Sequence, residues 1–133
     1  MGRKIAREST MKLLFQMDVN KDFSLSEMDG FFEQGEFNED EQAYIKEVTE
    51  FIVGNVEDID NKIVKYAQGW KINRFAKVDL AILRIAIYEI LNREDIPKEV
   101  SINEALEISK KYSSLESGKF INGILGSFVR ALE

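Results

Sequence analysis

The sequence predicts an all-α protein, a compact bundle of six to seven helices around a buried central one. Three observations carry this. Apolar residues recur every three to four positions along most of the chain. Pro97 is the single proline among 133 residues, so little interrupts helix formation. The segment Val78–Asn92 is apolar nearly all round, as befits a helix touched by neighbours on several sides.

The elements follow in order. A first helix spans about Arg3 to Val19, with Ala6, Thr10, Leu13, Leu14 and Met17 on one core-facing stripe and Lys4, Arg7, Met11 and Phe15 on the neighbouring face. Ser24 and Glu27 form a capping-box pattern that opens a second helix, ending near Gly35. A third begins after Asn38, where Glu39, Asp40 and Glu41 favour the positive end of the helix dipole. Its apolar pattern continues to Gln68, with Gly54 placed to bend it or divide it and Gly69 to stop it. Trp70 to Lys77 reads as a loop or short turn, with Trp70 a core or half-buried anchor. The central helix follows and breaks at Asp95-Ile96-Pro97. Ser101 and Glu104 make another capping box, opening a helix to about Tyr112. Ser113 to Ser117 link it to a last helix reaching Leu132, with Ile121, Leu125, Phe128 and Leu132 inward. Gly123 and Gly126 are placed to allow close helix approach. Asp79, Arg84 and Glu89 are the charges of the central helix, with internal pairing the default.

Charge is segregated. The total is −6, yet residues 1–21 carry five bases against two acids and residues 61–93 seven against two, while residues 22–60 carry thirteen acids against Lys46. Screening confines each field to about 8–10 Å in physiological salt, so basic segments of an acidic protein still attract phosphate. Solvated helix faces are the plain alternative.

Much chemistry is excluded. With no cysteine and no histidine there are no disulfides, no thiolate metal sites and no histidine base. Gly118-Lys119 lacks the upstream glycine and following hydroxyl residue of a phosphate-binding loop. Asp58 and Asp60 sit two apart on a helix and so point to different faces. No apolar run is long enough to span a bilayer and no secretory leader is evident. A cytoplasmic protein without enzymatic activity, cofactor or metal is the expectation.

Arg3, Lys4 and Arg7 with Phe15 combine cations and an aromatic ring at one end of the first helix. Single-stranded RNA is commonly held this way, phosphate by cations and a base by a ring. The alternative is that Phe15 folds into the core while the cations are solvated. Lys119, near a helix N-terminus, faces the positive end of a dipole, which an anion there would relieve; a lysine snorkelling into water is the other reading.

The blocks Asp79–Ile90, Val100–Glu107 and Lys119–Gly126, in this order and spacing, resemble the signature of the bacterial NusB transcription antitermination family. The likeness is strongest from Trp70 to Phe128. It implies two small helical bundles, about 1–69 and about 70–133, in one RNA-binding domain. It also implies an adaptor that binds boxA RNA of ribosomal-RNA transcripts together with the ribosomal protein NusE, in an RNA polymerase elongation complex. By this resemblance Arg3, Lys4, Arg7 and Phe15 of the first helix contact RNA, joined by Lys77, Lys119 and Phe120. Asp79 and Glu116 border the protein partner, whose basic surface suits acidic residues. Ile5 stands where the family commonly has another arginine. When free, the chain is expected as a monomer or homodimer. Two other readings remain: a helical protein-interaction module, or a stand-alone relative of the RNA-binding domain of rRNA cytosine methyltransferases.

Overall fold

In the computed structural model, which describes residues 2–133, seven α-helices and one short 3-10 turn account for the regular structure of the described residues. They are α1 (Gly2–Asn20), α2 (Leu25–Gln34), α3 (Glu39–Gly54), α4 (Val56–Lys65), the turn Ile72–Arg74, α5 (Lys77–Asn92), α6 (Lys98–Tyr112) and α7 (Leu115–Leu132). The all-α expectation holds. Helix α5 lies at the centre and packs on α1, α3, α4, α6 and α7. Every residue from Asp79 to Ile90 is buried, and one continuous apolar cluster joins residues of all seven helices. The predicted stripe of α1 is the packed one: Ala6, Thr10, Leu13, Leu14 and Met17 have no solvent exposure. Buried Thr10 satisfies its hydroxyl by donating to the Ala6 carbonyl at 2.7 Å.

The helix boundaries depart from the sequence patterns where a side chain has a stronger use elsewhere. Asn38 and Glu41 form the full reciprocal cap of α3, at 2.8 and 3.0 Å. The Ser24/Glu27 pattern does not. Ser24 precedes α2 without a side-chain cap, and the Glu27 carboxylate instead accepts from Gln16 and Asn20 of α1, each at 2.9 Å. Gly54 divides rather than bends: α3 ends there, and Asn55 turns the chain while its side-chain amide donates to the Phe51 carbonyl at 2.8 Å. Ser101 does not cap α6, which starts earlier, at Lys98 after Pro97, because proline's fixed φ and missing N–H suit a helix start. Likewise α7 starts at Leu115, within the expected link, capped by Ser114 Oγ on the Ser117 amide at 3.1 Å.

The three charges of α5 are each spent on a different set of neighbours. Glu89 accepts from Arg7 Nε at 2.7 Å and Nη2 at 3.1 Å, from Ser101 Oγ at 2.8 Å, and from the Tyr44 hydroxyl. One carboxylate thus binds α5 to α1, α6 and α3. Arg84 forks onto Asp60 at 2.9 and 2.8 Å and reaches Asp18 at 3.0 Å, tying α5 to α4 and α1, with the Phe23 ring against its guanidinium. Asp79 accepts from Ser113 and Ser117, both at 2.9 Å, and so holds the α6–α7 connection.

Removing one partner of a buried pair leaves the other charge uncompensated, which costs more than the pair gains. Arg7→Met is expected to cost about 3–5 kcal/mol in urea unfolding, and a combined Arg7→Met/Glu89→Leu change substantially less than either change alone. Burial works against the Glu89 charge. The hydrogen bonds from Arg7 and Tyr44, the Arg7 charge and the Ser101 hydroxyl outweigh it and hold its pKa below the ordinary 4.5. A carboxylate depressed in the folded state stabilises fully above its unfolded value and loses that contribution as pH falls through the folded one. The urea midpoint is therefore expected to hold steady down to about pH 5 and fall in more acid solution, with a smaller acid loss in Glu89→Gln measured over the same range.

Candidate nucleic-acid interface

The chain between α4 and α5 reverses at Gln68 and Gly69, with φ of +50° and +90°, left-handed values that glycine adopts without steric cost. The 3-10 turn then drops Phe75 into the core and leaves Trp70 above it, 49% exposed. Of the two expectations for Trp70, core or half-buried, the second is the one met: half of the residue faces solvent while its ring packs on Phe75 and Phe120. Across from it, one turn into α7, Phe120 is half-buried. Its ring centroid lies 5.2 Å from that of Phe75 and 5.4 Å from that of Trp70. Phe75 is the buried footing, and the other two rings form a stepped surface on it.

An open groove of about 450 Å³ runs beside these rings, bordered by Trp70, Lys119, Phe120, Gly123 and Arg130. Gly123 is exposed and a Cβ there would meet nothing within 4 Å. It keeps the groove wall low and does not serve helix packing. Lys119 is exposed and makes no ion pair among the described residues. Because α7 begins at Leu115, Lys119 lies just beyond its first turn, where the dipole's effect has largely fallen away. The conflict suggested by the sequence is therefore small, and the case for an anion rests on the free cation beside aromatic rings.

Lys77 opens α5 and is exposed, with Nζ 3.7 Å from Asp18 of α1. Phe15 is 38% exposed, one turn before Asp18 on the same helix, so it stays out of the core. Lys12, absent from the predicted set, is close to Phe15 in the same helical sense. Its ammonium and that of Lys111 each lie 5.5 Å from the Tyr112 ring centroid, while Lys111 and the Tyr112 hydroxyl hold Glu8 at 3.0 and 2.9 Å. The i,i+3 spacing of Lys12 and Phe15 was the available signal.

The three N-terminal cations do not gather into one corner. Arg7 is 6% exposed, pairs with Glu89 and lies 3.5 Å from Glu104, so its guanidinium is consumed inside the fold. Arg3 turns to α3 and sits 5.2 Å over the Tyr44 ring. Lys4 is exposed, 3.7 Å from Glu104 of α6. Asp79, which the resemblance places beside the protein partner, is 5% exposed behind Ser113 and Ser117, so the default of internal pairing holds for it. Glu116, the neighbour of Ser117, is exposed next to Leu115, which is 77% exposed. Of the two acids assigned to a partner, Glu116 is the one within reach.

Among the described residues no group of three or more histidine, cysteine or acidic side chains is arranged to hold a metal, and no helix is long and apolar enough to cross a membrane. Exposed rings flanked by cations that make no ion pair among the described residues are suited to holding phosphates and unstacked bases. The family model described as the NusB family matches residues 4–130, and the chain belongs to that family. It is 49% identical over 130 residues to the transcription antitermination protein NusB of Acetivibrio thermocellus, covering 98% of this chain and 90% of that protein. It is 48% identical to the protein of the same name from Alkaliphilus oremlandii, covering 97% and 94%. Among solved structures, NusB of T. maritima superposes with a TM-score of 0.87 at 35% identity, covering 96% and 90% of the two chains. A chain from the crystal structure of antitermination factors NusB and NusE in complex with double-stranded RNA gives 0.86 at 25% identity, covering 98% and 97%.

Substitution of an exposed charge usually changes stability by no more than about 0.5 kcal/mol. Lys77→Glu and Lys119→Glu are each expected within that range by urea unfolding. Asp79→Ala, which strips two buried-side hydroxyls of their acceptor, is expected to cost about 1–3 kcal/mol.

Proposed function

We propose that this chain is an RNA-binding adaptor of transcription antitermination. In this reading it holds boxA RNA of ribosomal-RNA transcripts, together with the ribosomal protein NusE, within an RNA polymerase elongation complex. The observation that carries it is the pairing of exposed Lys119 with the Phe120–Trp70 rings at an open groove. Cations take phosphates and rings take unstacked bases. The superposition on a NusB chain solved with NusE and RNA supports the same reading. The RNA in that complex is double-stranded, whereas exposed rings suit unpaired bases, so strandedness is a point the test must address.

Within this reading Lys77, Lys119 and Phe120 contact RNA directly, with Phe15, Lys12 and Lys4 extending the contact along α1. Arg3 contributes from the α3 side, and Arg7 acts by holding α1 in place. Glu116 and Leu115 offer the ribosomal partner an acidic and an apolar contact, and acidic groups steer a basic protein. Asp79 supports that surface from beneath by holding Ser117. Two modest surfaces joined in one complex grip RNA more firmly than either alone, by effective concentration.

The test is a titration of labelled boxA RNA, single-stranded and duplex, with the chain alone and with the ribosomal partner, at two salt concentrations. Neutralisation of three to five phosphates gives a log–log salt slope of about −2 to −3.5. The partner is expected to tighten binding, the single strand to bind better than the duplex, and Lys77→Glu/Lys119→Glu to weaken binding about tenfold or more. Equal binding by that variant, or an affinity indifferent to salt, would remove these residues from the site. Binding of the ribosomal protein without any RNA shift would favour the protein-interaction reading instead.

A further inference from the structure

Trp70 borders two grooves. One is the groove of about 450 Å³ beside Lys119 and Phe120. The second, of about 410 Å³, is bordered by Gln68, Gly69, Trp70, Lys71 and Arg74. Gln68 and Trp70 belong to both, so the two are continuous around the indole. Lys71 and Arg74 are exposed, and neither makes an ion pair among the described residues.

The charge of these two grooves is unusual for this protein. The chain carries 24 acids against 18 bases, yet no carboxylate lines either groove. The open groove between α1 and α3 includes Asp40 and Glu47, and that at the α3–α4 junction Glu57 and Asp58. An indole left half in water forgoes apolar burial. Contact with Phe75 and Phe120 keeps it from folding down, and cations stand in both grooves beside it. An exposed ring between cationic flanks is how single-stranded nucleic acid is held when sequence is not being read.

We infer that Trp70 is a second base-stacking platform. A single strand seated at Lys119 and Phe120 continues across the indole into the groove of Lys71 and Arg74, lengthening the RNA footprint. This rests on the RNA-binding reading above. Stacking accepts any base, so the added nucleotides supply affinity and salt dependence, while sequence is read elsewhere. An acidic peptide would meet the cations but would leave the indole face without a flat partner, so RNA is the occupant the geometry favours.

Trp70 is the sole tryptophan of the chain, so its fluorescence reports this platform directly. The full-length protein, alone and with the ribosomal partner, is titrated with single-stranded boxA-containing RNA of about twelve nucleotides and with a core of about six. Indole emission and the anisotropy of end-labelled RNA are followed in parallel. The longer RNA is expected to quench Trp70 saturably, at the same midpoint as the anisotropy change. Lys71→Glu/Arg74→Glu and Trp70→Ala are each expected to weaken the longer RNA about tenfold and the shorter one little, with Trp70→Phe recovering most of the loss. Should Trp70→Ala unfold by circular dichroism, the double charge variant carries the test, since both residues are exposed. RNA binding with unchanged indole emission would overturn the inference and leave the RNA-binding reading intact. Absence of binding to either RNA would overturn both. Quenching by poly-glutamate as strong as that by RNA would also overturn the inference, by assigning the groove to acidic peptides.

Discussion

The fold depends on one carboxylate. Glu89, near the end of the central helix, is 1% exposed and accepts hydrogen bonds from three other helices at once. Such a group is costly to bury unless every lone pair is used, and here Arg7, Tyr44 and Ser101 use them. The arrangement permits little slippage. A shift of α1 by one residue would turn Arg7 away through about a hundred degrees, and a displaced α6 would remove Ser101. Apolar packing among Leu, Ile and Met side chains tolerates alternative registers. A buried charge with directional partners does not, and the bundle gains a single arrangement from it.

The same logic runs along α5 toward the surface. At its middle, Arg84 joins Asp60 and Asp18. At its start, Asp79 fixes the two serines of the α6–α7 connection. With Ser117 tied down, Ser114 caps the first turn of α7, and that turn sets where Lys119 and Phe120 emerge. Polar residues of the interior thus hold the exposed ones in place: buried Asp79 bonds Ser117, the neighbour of Glu116, and partly buried Asp18 lies beside Lys77. Family resemblance assigned two of these buried groups, Arg7 and Asp79, to contacts with RNA and partner. Both are buried, Arg7 against Glu89 and Asp79 against Ser113 and Ser117, and in the proposed reading they act by positioning α1 and the start of α7.

What the sequence made legible follows from how local each feature is. Helix identities, the α1 core stripe, the start of α3 after Asn38 and the burial of the central helix depend on spacing within a few turns, and all were readable. The Ser24, Ser101 and Ser114 starts were misjudged or shifted because hydroxyl and carboxylate groups choose among partners that only tertiary packing supplies. Arg7 illustrates the difficulty for the site. Lys4, Arg7, Met11 and Phe15 form a plausible face on a helical wheel, yet Arg7 and Met11 are buried at 6% and 2%. Helix α6 and Glu89 claim that side, and exposed Lys12 and Phe15 mark the solvent side one step round. Trp70 was read as a core or half-buried anchor because indoles usually are, and the half-buried reading holds. Its exposure follows from the Gln68–Gly69 reversal, which no periodic pattern announces.

The acidic total of the chain poses no obstacle to phosphate binding once its placement is known. The acid-rich stretch 22–60 forms α2, α3 and the first half of α4, and α2 and α3 pack on α1 and on each other. Helix α7, which carries Lys119, packs on α5 and α6. Some of the acids nearest the centre are already spent, Asp18 and Asp60 on Arg84 and Glu104 on Arg7 and Lys4. Exposed carboxylates farther away act through water and salt, where a field decays within about 8 Å. A strand lying in grooves free of carboxylates therefore meets a locally positive surface on a negative protein. That separation also discourages adhesion of nucleic acid to the rest of the molecule, and in the proposed reading it directs a strand to the grooves beside Trp70.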